Sequence, residues 1–311
     1  MATQAVIDNE LLIEMYQDPA WKGQRMLAKF ASKLLGKIIY GLFICPQAMT
    51  WKKEPSRSVK MLGMYLVYIK PMIKAGIPAD LLKIVDDEFG GIGKKHKPIR
   101  PVLFRCMQFI SILWYMRFVA TYHLLVEEFK QGKNVVSIGC GSGIIETLAL
   151  IASGNKAARL TLLDNDTKSV GLASEIIAVF AKNGHDVSNQ ATARYGDIGN
   201  ANIIPAGTDT VVSIGLLHNY FSLDEANRLM QGWFDKGAKE VITDICYPPK
   251  SDDEKLRIRF INFVLEWALY PAKGGLRFYS WTEFFDGLPR NMAVEQISLG
   301  PGAVAVVTEK K

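Results

Sequence analysis

The side chains in this sequence best suited to chemistry stand where short apolar runs end. Val135-Val136-Ser137-Ile138 leads into Gly139-Cys140-Gly141-Ser142-Gly143, and a helix-like run from Ile144 to Ile151 follows. Glycines alternating directly after a β-branched run, just before helical periodicity begins, predict strand, tight turn and helix. Without Cβ atoms the turn can be sharp, and a ligand can lie against the backbone at the helix N-terminus. The run Leu160 to Leu163 ends at Asp164, followed by Asn165. This puts a carboxylate at the tip of a second strand, where it can accept from both hydroxyls of a ribose. A third strand, Ala191 to Tyr195, ends at Gly196-Asp197-Ile198, and a fourth, Thr210 to Gly215, runs into Leu216-Leu217-His218-Asn219-Tyr220-Phe221. In open α/β sheets chemistry sits outside the carboxyl ends of the strands, which is where His218, Asn219 and Tyr220 fall. There His218 could serve as a general base, Asn219 as a hydrogen-bond partner and Tyr220 as an aromatic wall or amine acceptor. The bland alternative is a packed loop whose imidazole caps a helix or contacts adenine.

A dinucleotide fingerprint would place glycine or alanine three positions beyond Gly141, where this chain has Ile144. The pattern Gly139-x-Gly141-x-Gly143, with Asp164 and Asp197 downstream, instead resembles the class I S-adenosylmethionine (SAM)-dependent methyltransferases, from about Lys133 to the C-terminus. The resemblance implies an α/β, Rossmann-like domain with a mostly parallel sheet and an antiparallel last strand, and SAM as cofactor. It assigns SAM binding to Ser137, Gly139, Gly141, Gly143, Asp164, Asn165, Asp197, Ile198 and Gly215, with Asp164 on the ribose and Asp197 on the adenine side. It assigns catalytic duty to His218, Asn219 and Tyr220. One position departs from the family: Asp or Glu usually stands two residues before the first glycine, helping to hold the amino-acid end of the cofactor, and this chain has Ser137.

The elements that must position these groups follow in order. Lys168 to Lys182 reads as a helix and Asn183 to Asp186 as a turn, with His185 a loop residue. Ser222-Leu223-Asp224-Glu225 is a helix-entry signature, with Glu225 at the third helical position. Glu240 to Ile245 is a fifth strand, closed by Cys246-Tyr247-Pro248-Pro249. Asp253 to Tyr270 is an amphipathic helix, Phe278 to Leu288 a last helix, and Val294 to Ser298 with Ala303 to Val307 a hairpin ending the sheet. From Asp8 to about Lys130 the spacing is helical, with Ile77-Pro78-Ala79-Asp80 as one helix entry and Gly90 to Pro98 as a glycine-rich loop or helix connection. The organisation is therefore an all-α N-terminal cap or scaffold domain over 1–131, in front of a SAM-binding domain over 132–311.

Composition narrows the class. With 49% apolar and 22% charged residues the chain is globular, and its formal charge of +6 is scattered along the sequence, which speaks for ordinary solvation and against a nucleic-acid partner. The cysteines, Cys45, Cys106, Cys140 and Cys246, stand far apart, so neither a metal site nor a disulfide framework is expected, and a cytoplasmic setting is. Asp8, Glu10 and Glu14 interrupt any signal-like start, and Arg105, Arg117 and His123 interrupt the most apolar stretch, so no membrane span is expected.

The leading reading is a SAM-dependent methyltransferase acting on a small molecule, with a homodimer open as an assembly. A second reading uses the fold's resemblance to azetidine-2-carboxylate and nicotianamine synthases, which attack the aminocarboxypropyl chain of SAM and release methylthioadenosine. SAM would then be the sole substrate. Cyclisation requires a neutral amine, and Ser137 in the acidic position fits that requirement. A third reading is a SAM-binding or dimerisation module without chemistry.

Overall fold

A computed structural model describes residues 72–73, 75–95, 118–217, 221–246, 287–288, 291–298 and 302–309. Helices α1 (Ala79–Lys95) and α2 (118–130) precede strand β1 (Asn134–Ile138). Helix α3 (Ile144–Ser153), β2 (Arg159–Asp164), α4 (Thr167–Lys182), β3 (Ala191–Tyr195), β4 (Thr210–Ser213), α5 (Leu223–Asp235), β5 (Glu240–Cys246), β6 (Met292–Ser298) and β7 (Gly302–Glu309) follow. The strands form a single sheet in the order β3-β2-β1-β4-β5-β7-β6. Strands β1 to β5 pair in parallel, and β7 runs antiparallel to both β5 and β6. This is the Rossmann-like class I arrangement expected from the sequence, the hairpin at its end included.

The strands bury both faces, so alternation along each of them sorts side chains between two cores. Val135, Leu160, Leu162 and Val212 pack with Ile144, Ile145 and Leu148 of α3 and with Ile176 and Phe180 of α4. Val136, Ile138, Leu163 and Val211 pack on the other face with Leu229, Met230 and Trp233 of α5. The described helices ahead of the sheet share the first core through Leu82, Val85, Phe89, Leu125 and Phe129. His123 of α2 donates from Nε2 to the carbonyl of Ala75 at 2.7 Å, which fixes its tautomer.

Local chemistry sets the helix ends. Asp166 caps α4 by accepting from Lys168 N–H, and Ser222 and Glu225 form the expected reciprocal capping box on α5. Two boundaries differ from expectation. Helix α1 continues through Gly90, Gly91 and Gly93 to Lys95, where a loop or connection was expected. Its Leu81, Leu82, Val85 and Phe89 stripe is buried, and tertiary packing outweighs the roughly 1 kcal/mol that each glycine costs a helix. Strand β4 stops at Ser213 and not at Gly215, because Gly215 turns at φ 69, which no extended strand accommodates. No helix among the described residues is long and apolar enough to cross a membrane.

Candidate cofactor site

The carboxyl ends of the parallel strands line up by register. Ile138 pairs with Leu163, Asp164 with Tyr195, and Ser213 with Thr243. The glycine-rich turn leaves β1 at this edge. Gly139, Gly141 and Gly143 all take positive φ, at 69°, 58° and 62°. Their reasons differ. A Cβ on Gly143 would stand 2.4 Å from Leu162 Cδ1, and one on Gly139 would stand 2.9 Å from Leu216 Cδ1, so these two glycines let the turn sink onto the sheet. A Cβ on Gly141 would meet nothing within 4 Å. At Gly141 the backbone itself faces open space, as a ligand lying against the turn requires.

Asp164 ties the turn to the second strand. Its Oδ2 accepts from Gly141 N–H at 2.9 Å and its Oδ1 from Asp166 N–H at 2.9 Å, and the side chain is buried. The Leu163 carbonyl accepts from Gly139 N–H and Cys140 N–H, which pins the rest of the turn. Gly196 N–H in turn donates to the carbonyl of Asp164, so the exit from β3 is anchored to the same residue. Asn165 is exposed beside it. Asp197 is exposed in the turn after β3, where its Oδ1 accepts from Gly199 N–H at 3.0 Å, while Ile198 sinks into the core beside Ile138 and Leu163. Gly215 is buried in the turn after β4. Ser137, Gly139, Gly141, Gly143, Asp164, Asn165, Asp197, Ile198 and Gly215 thus all fall along one edge of the sheet. His218, Asn219 and Tyr220 lie outside the described residues.

Two carboxylates that the sequence reading passed over join this edge. The first is Glu146, in the opening turn of α3. Ser137 lies on the α3 side of β1, since its neighbours Val136 and Ile138 pack on the other face, and its hydroxyl donates to Glu146 Oε1 at 2.6 Å. Burial pushes the Glu146 carboxyl above the ordinary carboxylate value, and the Ser137 hydroxyl and its own backbone N–H draw it part of the way back. The position that resembled families fill with Asp or Glu therefore does not lack a carboxylate, which arrives from the helix. This removes the argument from Ser137 for cyclisation of SAM. The second carboxylate is Asp244, buried on β5, whose Oδ1 accepts from Gly215 N–H at 2.8 Å. A signal for each was present: a lone Glu in the apolar run Ile144 to Ile151, and an Asp near the carboxyl end of a central strand.

Cys140, in the turn itself, is no nucleophile. Burial, then the Asp164 and Glu146 carboxylates, push its thiol well above the ordinary value, and the thiol stays protonated. Among the described residues no group of three or more His, Cys, Asp and Glu side chains could hold a metal ion.

No family model and no curated protein matches the chain. Solved structures do. N,N-8-amino-8-demethyl-D-riboflavin dimethyltransferase from Streptomyces davawensis is 16% identical at a TM-score of 0.46, over 85% of this chain and 73% of its own. Magnesium protoporphyrin IX methyltransferase from Synechocystis PCC 6803, with bound SAH, is 16% identical at a TM-score of 0.46, over 73% and 99%. An O-methyltransferase family protein from Burkholderia thailandensis is 15% identical at a TM-score of 0.47, over 74% and 72%. The fold assignment stands on strand order and register.

Proposed function

We propose that the chain binds SAM across the carboxyl ends of β1, β2 and β3 and transfers its methyl group to a small molecule. The observation that carries this reading is the Asp164 carboxylate, fastened by Gly141 N–H and Asp166 N–H beside the one turn glycine whose missing Cβ opens on free space. A buried carboxylate held by backbone donors cannot swing away, so it presents a fixed acceptor to a pair of vicinal hydroxyls. Bound SAM would supply an electrophilic methyl on a sulfonium, so the protein's tasks are alignment, exclusion of water and removal of one proton from the acceptor.

The chain's own residues divide those tasks. Asp164 takes the ribose. Asp197 and Ile198 take the adenine, one polar and exposed, the other part of the apolar floor. Gly139, Gly141 and Gly143 let the amino-acid end lie against the backbone where α3 begins, and the N-cap of α3 is a glycine with no side chain to occupy its first N–H groups. Asn165 and Gly215 flank these groups. His218, Asn219 and Tyr220 receive the acceptor, with His218 as the base, and residues 1–131 form the helical unit that covers them.

Mass spectrometry of the products from SAM tests the reading. With a panel of small phenols, amines and carboxylic acids, S-adenosylhomocysteine should accumulate only when an acceptor is present. Methylthioadenosine formed from SAM alone would overturn methyl transfer in favour of attack on the aminocarboxypropyl chain.

A further inference from the structure

The Ser137 and Glu146 pair has a cost that the described structure does not offset. Glu146 is 9% exposed and Ser137 is 2% exposed, in a layer otherwise built from Val135, Leu162, Ile145 and Leu148. A carboxylate withdrawn from water is expensive unless a cation accompanies it. Among the described residues no Lys or Arg pairs with Glu146: the influences on it are burial, the Ser137 hydroxyl and its own backbone N–H. The contrast with Glu128, at the opposite end of the sheet, is direct. That residue is buried to a similar degree and holds Lys133 Nζ at 2.6 Å. At the amino ends of the strands the fold supplies the cation for its buried carboxylate. At the carboxyl ends it does not.

Position says what would supply it. Glu146 is three residues past Gly143, and Ser137 two residues before Gly139, so the pair brackets the turn from beneath, at the end away from Asp197. We propose that the Glu146 carboxylate, oriented by the Ser137 hydroxyl, is the positioning group for the primary ammonium of the ligand's amino-acid arm, taking from helix α3 the duty that a carboxylate on β1 would otherwise perform. This inference rests on SAM being the ligand. The Ser137 hydroxyl fixes the carboxylate geometry through one short hydrogen bond, and the arriving ammonium provides the missing countercharge in a site of low dielectric. Glu146 touches no reacting atom in this role. It holds the arm, and through the arm the sulfonium.

Calorimetric titration of the full chain with SAM and, separately, with methylthioadenosine tests this, because the two share the nucleoside and thioether and differ in the amino-acid arm. Glu146→Gln, of nearly equal shape, should lose SAM affinity by tenfold or more while keeping methylthioadenosine affinity within twofold, which also shows that the variant is folded. Ser137→Asp added to Glu146→Gln restores a carboxylate beside the arm, with the new amide able to donate to it, and should recover most of the lost SAM affinity. Equal effects on both ligands, or none on either, would overturn the role of Glu146 and leave SAM binding standing. Failure of the unaltered chain to bind either ligand would overturn both.

Discussion

The backbone N–H of Gly141 donates a 2.9 Å hydrogen bond to Oδ2 of Asp164, joining two residues 23 positions apart at the tips of neighbouring parallel strands. The bond makes the glycine-rich turn and the acid one rigid unit. Asp164→Ala should therefore act twice. It leaves two backbone donors without their acceptor, which lowers the melting temperature, and it weakens SAM binding by about 1–3 kcal/mol through the unpaired ribose hydroxyls. Calorimetry and thermal unfolding read the two effects separately. Undiminished affinity would show that the ribose lies elsewhere.

The glycines of the turn should separate in the same way. Gly143→Ala adds a methyl 2.4 Å from Leu162 Cδ1, in a side chain that is itself fully buried, at a backbone φ of 62°. Left-handed strain of roughly 1–2 kcal/mol and overpacking of roughly 1–3 kcal/mol then combine. Gly141→Ala carries the strain alone, since nothing lies within 4 Å of its Cβ. In urea unfolding Gly143→Ala should be clearly the less stable variant, whereas Gly141→Ala should fold and lose SAM because its methyl projects into the ligand's space. Equal stabilities would contradict the packing described.

The opposite end of the sheet carries a pH dependence unrelated to the site. Glu240, on β5, has its carboxyl pushed up to about 7 by burial and by Glu128, against the pull of Lys133, with Glu295 adding to the rise. A carboxyl whose value is higher folded than unfolded binds its proton more tightly in the fold. The stability it contributes is full below about 4.5, falls as pH rises from there to about 7, and is lost above. Glu240→Gln should leave stability nearly unchanged near pH 4.5 and raise it by about 1–3 kcal/mol near pH 8. Denaturant unfolding at the two pH values checks this, and an equal effect at both would contradict it.

Ligand binding should have its own pH profile. Burial holds the Glu146 carboxyl above the ordinary carboxylate value, and the nearby charged or titratable groups are Asp164 and the Cys140 thiol, the latter pushed well above its own ordinary value. Affinity for SAM should rise with pH as Glu146 loses its proton, and the rise should vanish in Glu146→Gln. Calorimetry across the acid-to-neutral range measures it. A rise unchanged by that substitution would assign the profile to another group.

Much of this was legible in the sequence because some residues have few alternative uses. Gly139, Gly141 and Gly143 were readable since only glycine adopts positive φ routinely, and Asp164 since a period-two apolar run points at its own end. The Ser222 and Glu225 capping box is a local pattern with a local cause. Glu146 was not readable in the same sense. Every residue from Ile144 to Leu150 is buried, so α3 has no polar face at its start to reveal where its one acid points. That depends on how α3 settles on Ser137, which is a matter of tertiary packing. The same holds for Asp244, whose partner Gly215 is 29 positions away, and for the glycines of α1, where burial of Leu81, Leu82, Val85 and Phe89 overrode a strong local breaker.

The most direct test of the central claim is a crystal structure of the full chain soaked or grown with S-adenosylhomocysteine. The ribose hydroxyls should lie within hydrogen-bond distance of the Asp164 carboxylate, with the base toward Asp197 and Ile198 and the amino-acid arm along Gly139 to Gly143. A turn left empty at saturating ligand, or the ligand bound away from Asp164, would contradict it.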